Sequence, residues 1–190
     1  MPDMNRQRLV DYEEVRGQIA DGDILLFRRA GIIAACGRSV YSHAAMAAWW
    51  KGDILLCLEV APVVGGRAVC LSQSVARHPG RWDLYRTSVV QAAHWHPELA
   101  VASMIRLAGE PYGWRNLIGT ALRHIPGLRL LARPDMDDYS ESKWPPFCSQ
   151  AVSRAMAAGG VDPVPNLPHR LTEPGDLARS AFCRYCFTLA

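Results

Sequence analysis

The 190-residue sequence predicts an α+β fold in which an antiparallel sheet or small barrel packs against helices, with a cysteine opening one of those helices. Three observations carry that expectation. Short apolar runs bounded by turn residues crowd between residues 21 and 90. Stretches with a 3.6-residue apolar period crowd between 91 and 190. The two kinds are grouped, whereas a parallel sheet would alternate them as β-α units. With no internal repeat and no low-complexity segment, the chain reads as one domain, 1–190. It divides into an N-terminal helix (1–20), a strand-rich half (21–90) and a helical half (91–190).

The elements follow in order. Leu9, Val10, Tyr12, Val15 and Ile19 stand near helical spacing, so a helix is expected over 5–20, ended by "DGD" at 21–23. "DILLFRR" (23–29) is a short apolar run after a turn and reads as a strand, while "GIIAACGRSV" (31–40) fits a short helix or a connector. "YSHAAMAAWW" (41–50) and "DILLCLEVAP" (53–62) flank Lys51-Gly52 and predict an antiparallel hairpin. "GRAVCLSQ" (66–73) and "RWDLYRT" (81–87) predict two more strands. "HPELAVASMIRLAGEPYG" (96–113) has Pro near its start and Gly at its end, the asymmetry of a helix. "WRNLIGTALRHIPGLRLL" is helical in pattern but broken at Pro126, and "RPDMDDYSESKWPP" (133–146) reads as a loop. A helix then opens near Cys148, and the proline-rich "VDPVPNLPHRLTEPGDL" must be extended or turning.

Bulk properties narrow the classes of function. The formal charge of +3, with arginines scattered singly, argues against nucleic acid as a partner. No apolar leader and no run of eighteen apolar residues are visible, so a cytoplasmic protein without a transmembrane segment is expected. The six cysteines (36, 57, 70, 148, 183, 186) follow no disulfide framework and read as reduced thiols. "CRYC" at 183–186 lacks two further ligands at zinc spacing, so the pair reads as structural; no metal or organic cofactor is expected, since a Cys–His pair would supply both nucleophile and proton transfer.

"PPFCSQAVSRAMAAGG" (145–160) has the local design of an activated nucleophile. A thiol at a helix N-terminus faces unpaired backbone N–H groups and the positive end of the helix dipole, and both favour the thiolate. Such a cysteine wants a histidine base and a polar group to orient it. Of six histidines, His43 alone lies inside a predicted strand. In "LLCLEVA", Leu56, Leu58 and Val60 share one face, and Cys57, Glu59 and Ala61 the other. A glutamate inside such a run is costly unless paired. A three-residue loop over Trp50, Lys51 and Gly52 would set opposing residue numbers to sum to 102 and bring His43 directly opposite Glu59; a two-residue loop would separate them to opposite faces.

The ordered set "GDILLF", "YSHAAM", "LEV", "GEPYGW", "PFCSQAV" and "TEPGDLARS", over about residues 20–182, resembles the circularly permuted, YiiX-like branch of the NlpC-type, papain-fold cysteine hydrolases. The resemblance implies Cys148 as nucleophile, His43 as general base and then acid, and Glu59 as the group that orients His43. Tyr112 would bind substrate or the oxyanion, with a hydroxyl bonded only to backbone as the alternative. Ser42 and Ser149, next to the two central residues, are further candidates for substrate or oxyanion binding, or make local backbone hydrogen bonds. The reaction expected is hydrolysis of an amide or ester in a small-molecule, peptide or lipid substrate. Two alternatives stand beside it: acyl transfer to an amine or lipid acceptor by the same triad, and a binding domain that has lost the reaction. For the acyl-transfer alternative, the apolar, arginine-bearing segment 112–133 would allow peripheral contact with an acyl chain or anionic lipid surface.

Overall fold

A computed structural model describes residues 8–31, 34, 39–88, 93–114, 117 and 145–190. Among these, seven strands form one open sheet, with helices packed on both faces. The strands are β1 (Leu9–Val10), β2 (Ile24–Arg28), β3 (Tyr41–Trp50), β4 (Ile54–Ala61), β5 (Gly65–Cys70), β6 (Trp82–Thr87) and β7 (Cys183–Leu189), in the spatial order β1-β7-β6-β2-β3-β4-β5. The helices are α1 (Tyr12–Val15), α2 (Leu71–Arg77), α3 (Pro97–Ile105), α4 (Cys148–Ala158) and α5 (Pro174–Arg179).

Both faces of the sheet are covered, which is why its strands are apolar on both sides. Ile24, Leu26, Ala44, Met46, Leu58 and Val60 bury one face against α3, α4 and α5. Leu25, Ala45, Ala47, Leu55, Cys57 and Leu84 bury the other against α1 and α2. Alanines at 44, 45, 47 and 48 of β3 and at 151 and 155 of α4 keep the central layer thin, so that helix and strand backbones approach closely. None of the described helices is long and apolar enough to cross a membrane.

Two buried carboxylates tie the sheet together. Asp23, which opens β2, accepts the Ala20 N–H (2.8 Å) and the Arg86 Nε–H (2.8 Å). Asp83 accepts the hydroxyls of Tyr41 and Thr188, each at 2.6 Å, and pairs with Arg28 at 3.3 Å. Such buried charges persist only because each is hydrogen-bonded several times over.

Four sequence expectations are corrected. The helix expected over 5–20 is instead the short β1 followed by the single turn of α1. β1 runs parallel to β7, held by Tyr12 N–H to Ala190 O (3.0 Å) and Ala190 N–H to Val10 O (2.9 Å), and this pairing of distant segments overrides local spacing. The strand expected to run to 73 stops at Cys70, where α2 begins. The tail expected to be extended or turning contains α5, closed by a reciprocal capping box between Glu173 and Asp176. The helical half also contains β7, in which Cys183 and Cys186 lie on opposite faces of the sheet. The expectations for 31–40 fall largely outside the described residues, as do those for 114–146 apart from Trp114, Leu117, Pro145 and Pro146.

Candidate active site

The site forms where the start of β3, the end of β4 and the first turn of α4 meet. The β3–β4 register differs from the expected one. Trp50 pairs with Ile54 and Ala45 with Glu59, so opposing numbers sum to 104, not 102. The loop is Lys51–Asp53, with both Lys51 (φ 52°) and Gly52 (φ 82°) left-handed, one residue later than the sequence suggests. A two-residue offset preserves the face, so His43 meets Glu59 diagonally instead of head-on. His43 Nε2 lies 2.6 Å from Glu59 Oε2. β3 is irregular here: Phe27 faces His43 while Arg28 faces Tyr41, leaving Ser42 as the extra residue of a bulge. Bulges re-aim neighbouring side chains, and this one stands immediately before His43.

Cys148 is the first residue of α4, and Phe147, 1 % exposed, is its N-cap. The backbone of Phe147 is extended and its side chain caps nothing, so the first amides of α4 keep their N–H groups free for other acceptors. The approach is set by Pro145-Pro146 pressed on Gly113, whose N–H donates to Pro146 O at 3.1 Å. A Cβ at Gly113 would lie 2.1 Å from Pro145 O, so this crossing admits only glycine. The same contact holds Tyr112 beside Cys148. Its hydroxyl is buried and faces the Cys148 sulfur and backbone N–H. Trp114 packs edge-on against the Tyr112 ring at 4.9 Å.

The electrostatics follow from these contacts. Burial pushes the Cys148 thiol up, but the His43 charge and hydrogen bond and the backbone N–H groups of Ala44 and Ser149 outweigh it and hold the thiol below its ordinary value of 9.0. Burial likewise opposes a charged His43, yet the facing Cys148 and Glu59 raise it from 6.5 to about 10. The two shifts act in the same sense, favouring thiolate and imidazolium over the neutral pair. Since Nε2 is taken by Glu59, Nδ1 is the ring nitrogen left for the sulfur. Burial also raises Glu59, but hydrogen bonds and charge from His43 and Arg67 bring it below 4.5. Tyr112 is pushed up, first by burial and then by the adjacent thiolate.

His43, Glu59, Cys148 and Tyr112 are thus brought together. Ser149 is placed differently: its hydroxyl donates to Thr172 O at 2.8 Å, so its contribution at the sulfur is its backbone N–H. Ser42 is half-buried at the bulge. Arg67, absent from the sequence reading, donates through Nε to Glu59 Oε1 at 2.7 Å. Its signal was available, since an unpaired buried Glu59 demands cations, but the partner strand's register is needed to name it.

The linked ionisations make a stability prediction. Glu59 is more acidic folded than unfolded, so its contribution is present above 4.5 and is lost as pH falls through its lowered folded value. His43 is more basic folded, so its contribution is complete below 6.5 and is lost as pH rises through about 10. Urea denaturation at a series of pH values should show wild type more stable than Glu59→Gln near neutrality, with the gap narrowing at both ends. A gap independent of pH contradicts the assignment of charges.

The crystal structure of the metalloprotein yiiX (DUF1105) from Escherichia coli O157:H7 matches with a TM-score of 0.61 over 90% of this chain and 98% of that one, at 17% identity. The fold is YiiX-like. At that identity the likeness concerns the YiiX-like fold alone. No family model and no curated protein matches the chain.

Proposed function

We propose that the protein is a cysteine hydrolase of amides or esters, in the permuted papain arrangement where a strand-borne histidine and an acid precede the cysteine. The observation that carries this reading is the chain of contacts from Cys148 through His43 to Glu59. The Cys148 thiolate attacks the carbonyl carbon, and negative charge moves onto its oxygen. The Cys148 backbone N–H and the Tyr112 hydroxyl beside the Cys148 sulfur are suited to receive that charge. Imidazolium His43 gives its proton to the leaving nitrogen or oxygen, and a thioester remains. Neutral His43 then takes a proton from water, hydroxide adds to the thioester, and the thiolate departs with release of the carboxylic acid. Glu59 holds the ring in one orientation throughout, as the third member of such triads does.

The yiiX protein is described as a metalloprotein, but the residues of this site do not fit a metal ion. His43 lies between the sulfur and the carboxylate, so the three groups do not converge on one point. No group of three or more His, Cys, Asp and Glu among the described residues is arranged to hold a metal ion. The segment 112–133, which motivated acyl transfer to a lipid or amine, lies largely outside the described residues.

The test is competitive labelling with iodoacetamide at pH 6 to 7, followed by mass mapping, alongside a panel of acyl-amide and ester substrates. Cys148 should be labelled ahead of the other cysteines, and the preference should widen as pH falls, since Cys57 and Cys183 are pushed up by burial. Equal labelling of all thiols sinks the reading.

A further inference from the structure

We propose that Arg67 is a fourth, positioning member of this site, holding the Glu59 carboxylate aimed at His43 from the neighbouring strand. The proposal rests on the hydrolase reading above and extends it by one residue.

Glu59 is only 7% exposed. A carboxylate so placed stays charged only when its lone pairs are filled by donors and its charge is matched. The two oxygens divide their partners. Oε2 takes the His43 ring nitrogen at 2.6 Å, while Arg67 Nε (2.7 Å) and Nη2 (2.6 Å) both reach Oε1. With each oxygen committed to a different partner, the carboxylate plane cannot rotate without breaking a charge-assisted hydrogen bond. The ring that Glu59 holds is thereby fixed as well. Arg67 reaches the site through its contacts with Glu59, so its influence passes through that carboxylate.

The strand delivers it for a structural reason. Arg67 stands directly opposite Glu59 in the β4–β5 ladder. The preceding residue, Gly66, is locked by backbone hydrogen bonds to Glu110 O (2.8 Å) and from Gly109 N–H (2.9 Å). Hence the Arg67 backbone is fixed from both sides while its side chain, 41% exposed, lies over the carboxylate. The charged and titratable groups recorded around Glu59 are His43 from β3, Arg67 from β5 and Cys57 from its own strand. Charged His43 and Arg67 together keep Glu59 ionised, and Arg67 is the cation on the oxygen that His43 leaves free. Lysine would supply the charge without the two-pronged donor geometry.

The experiment measures the rate of iodoacetamide labelling at Cys148, by mass mapping, from pH 5 to pH 8. It uses the full chain as wild type, Arg67→Gln, Arg67→Lys and Glu59→Gln, with circular dichroism checking that each variant is folded. Arg67→Gln should be labelled about three- to ten-fold more slowly than wild type at pH 5, the gap closing toward pH 8. Arg67→Lys should recover part of the loss, and adding Arg67→Gln to Glu59→Gln should cost little more. A wild-type-like profile in Arg67→Gln, with Cys148 still labelled preferentially in wild type, overturns the proposal and spares the hydrolase reading. A loss equal at every pH assigns Arg67 a purely structural part and overturns it too. No preferential labelling of Cys148 in wild type overturns both.

Discussion

Replacing Cys148 by alanine is expected to lower turnover of a cleavable amide or ester by about 10³-fold or more, because no other group recorded at the site can form the acyl intermediate. Cys148→Ser should be similarly inactive. The site lowers the ionisation of a thiol from 9.0, but a serine hydroxyl starts far too high to be ionised by a paired imidazolium. The fold should survive, since truncating one buried sulfur removes little packing, about 1 kcal/mol. Activity per folded molecule, read beside the melting temperature, separates the two effects. Full activity in Cys148→Ala would falsify the mechanism.

The second large effect is expected at Gly66, outside the reacting groups. A Cβ there would lie 1.7 Å from Leu107 O, far inside contact distance, and the obstacle is backbone that cannot rotate away. Gly66→Ala must undock either β5 or the 107–110 loop, which breaks the two backbone hydrogen bonds that join them. The cost is about 2–4 kcal/mol, the range of overpacking and lost hydrogen bonds at a buried crossing. Because that loop leads directly to Tyr112 and β5 carries Arg67, activity should fall beyond what the unfolded fraction explains. Urea denaturation gives the first quantity and turnover of the folded fraction the second. A stability change below about 0.5 kcal/mol, the scale of an ordinary surface substitution, would show that the crossing is looser than the contact distances imply.

How much of this was legible beforehand can be judged from particular residues. The strands at 24–28, 41–50, 54–61 and 82–87 were readable because their apolar runs are long and end in turn residues. Helix α4 was readable for the same reason, bracketed by Pro146 and Gly159. Glu59 stood out through the cost of burying it, and His43 as the strand histidine near it. What stayed hidden depended on distance. β1 takes its form from pairing with residues 188 and 189, which no local window contains. α2 offers only Leu71 and Val75 as buried residues, too few for a period. The hairpin register turned on Lys51, a residue with a side chain that nonetheless takes the left-handed conformation ahead of Gly52. The Ser42 bulge depends on how β2 ends, which alternation within β3 cannot reveal. Arg67 was invisible until the β4–β5 ladder set it opposite Glu59.

The last of the described strands in chain order has an inner seat. β7 lies between β1 and β6, and its Thr188 supplies a donor to Asp83. A nascent chain on the ribosome can therefore assemble the hairpin carrying His43 and Glu59, and even α4 with Cys148, while the slot beside β6 is still open. Until residues 183–189 are in place, Asp83 lacks that donor and the edge of β6 is bare, an unpaired strand edge open to another chain. Completion of the sheet thus waits on residues 183–189, and a chain that stalls before them would carry the reacting groups on an unfinished scaffold.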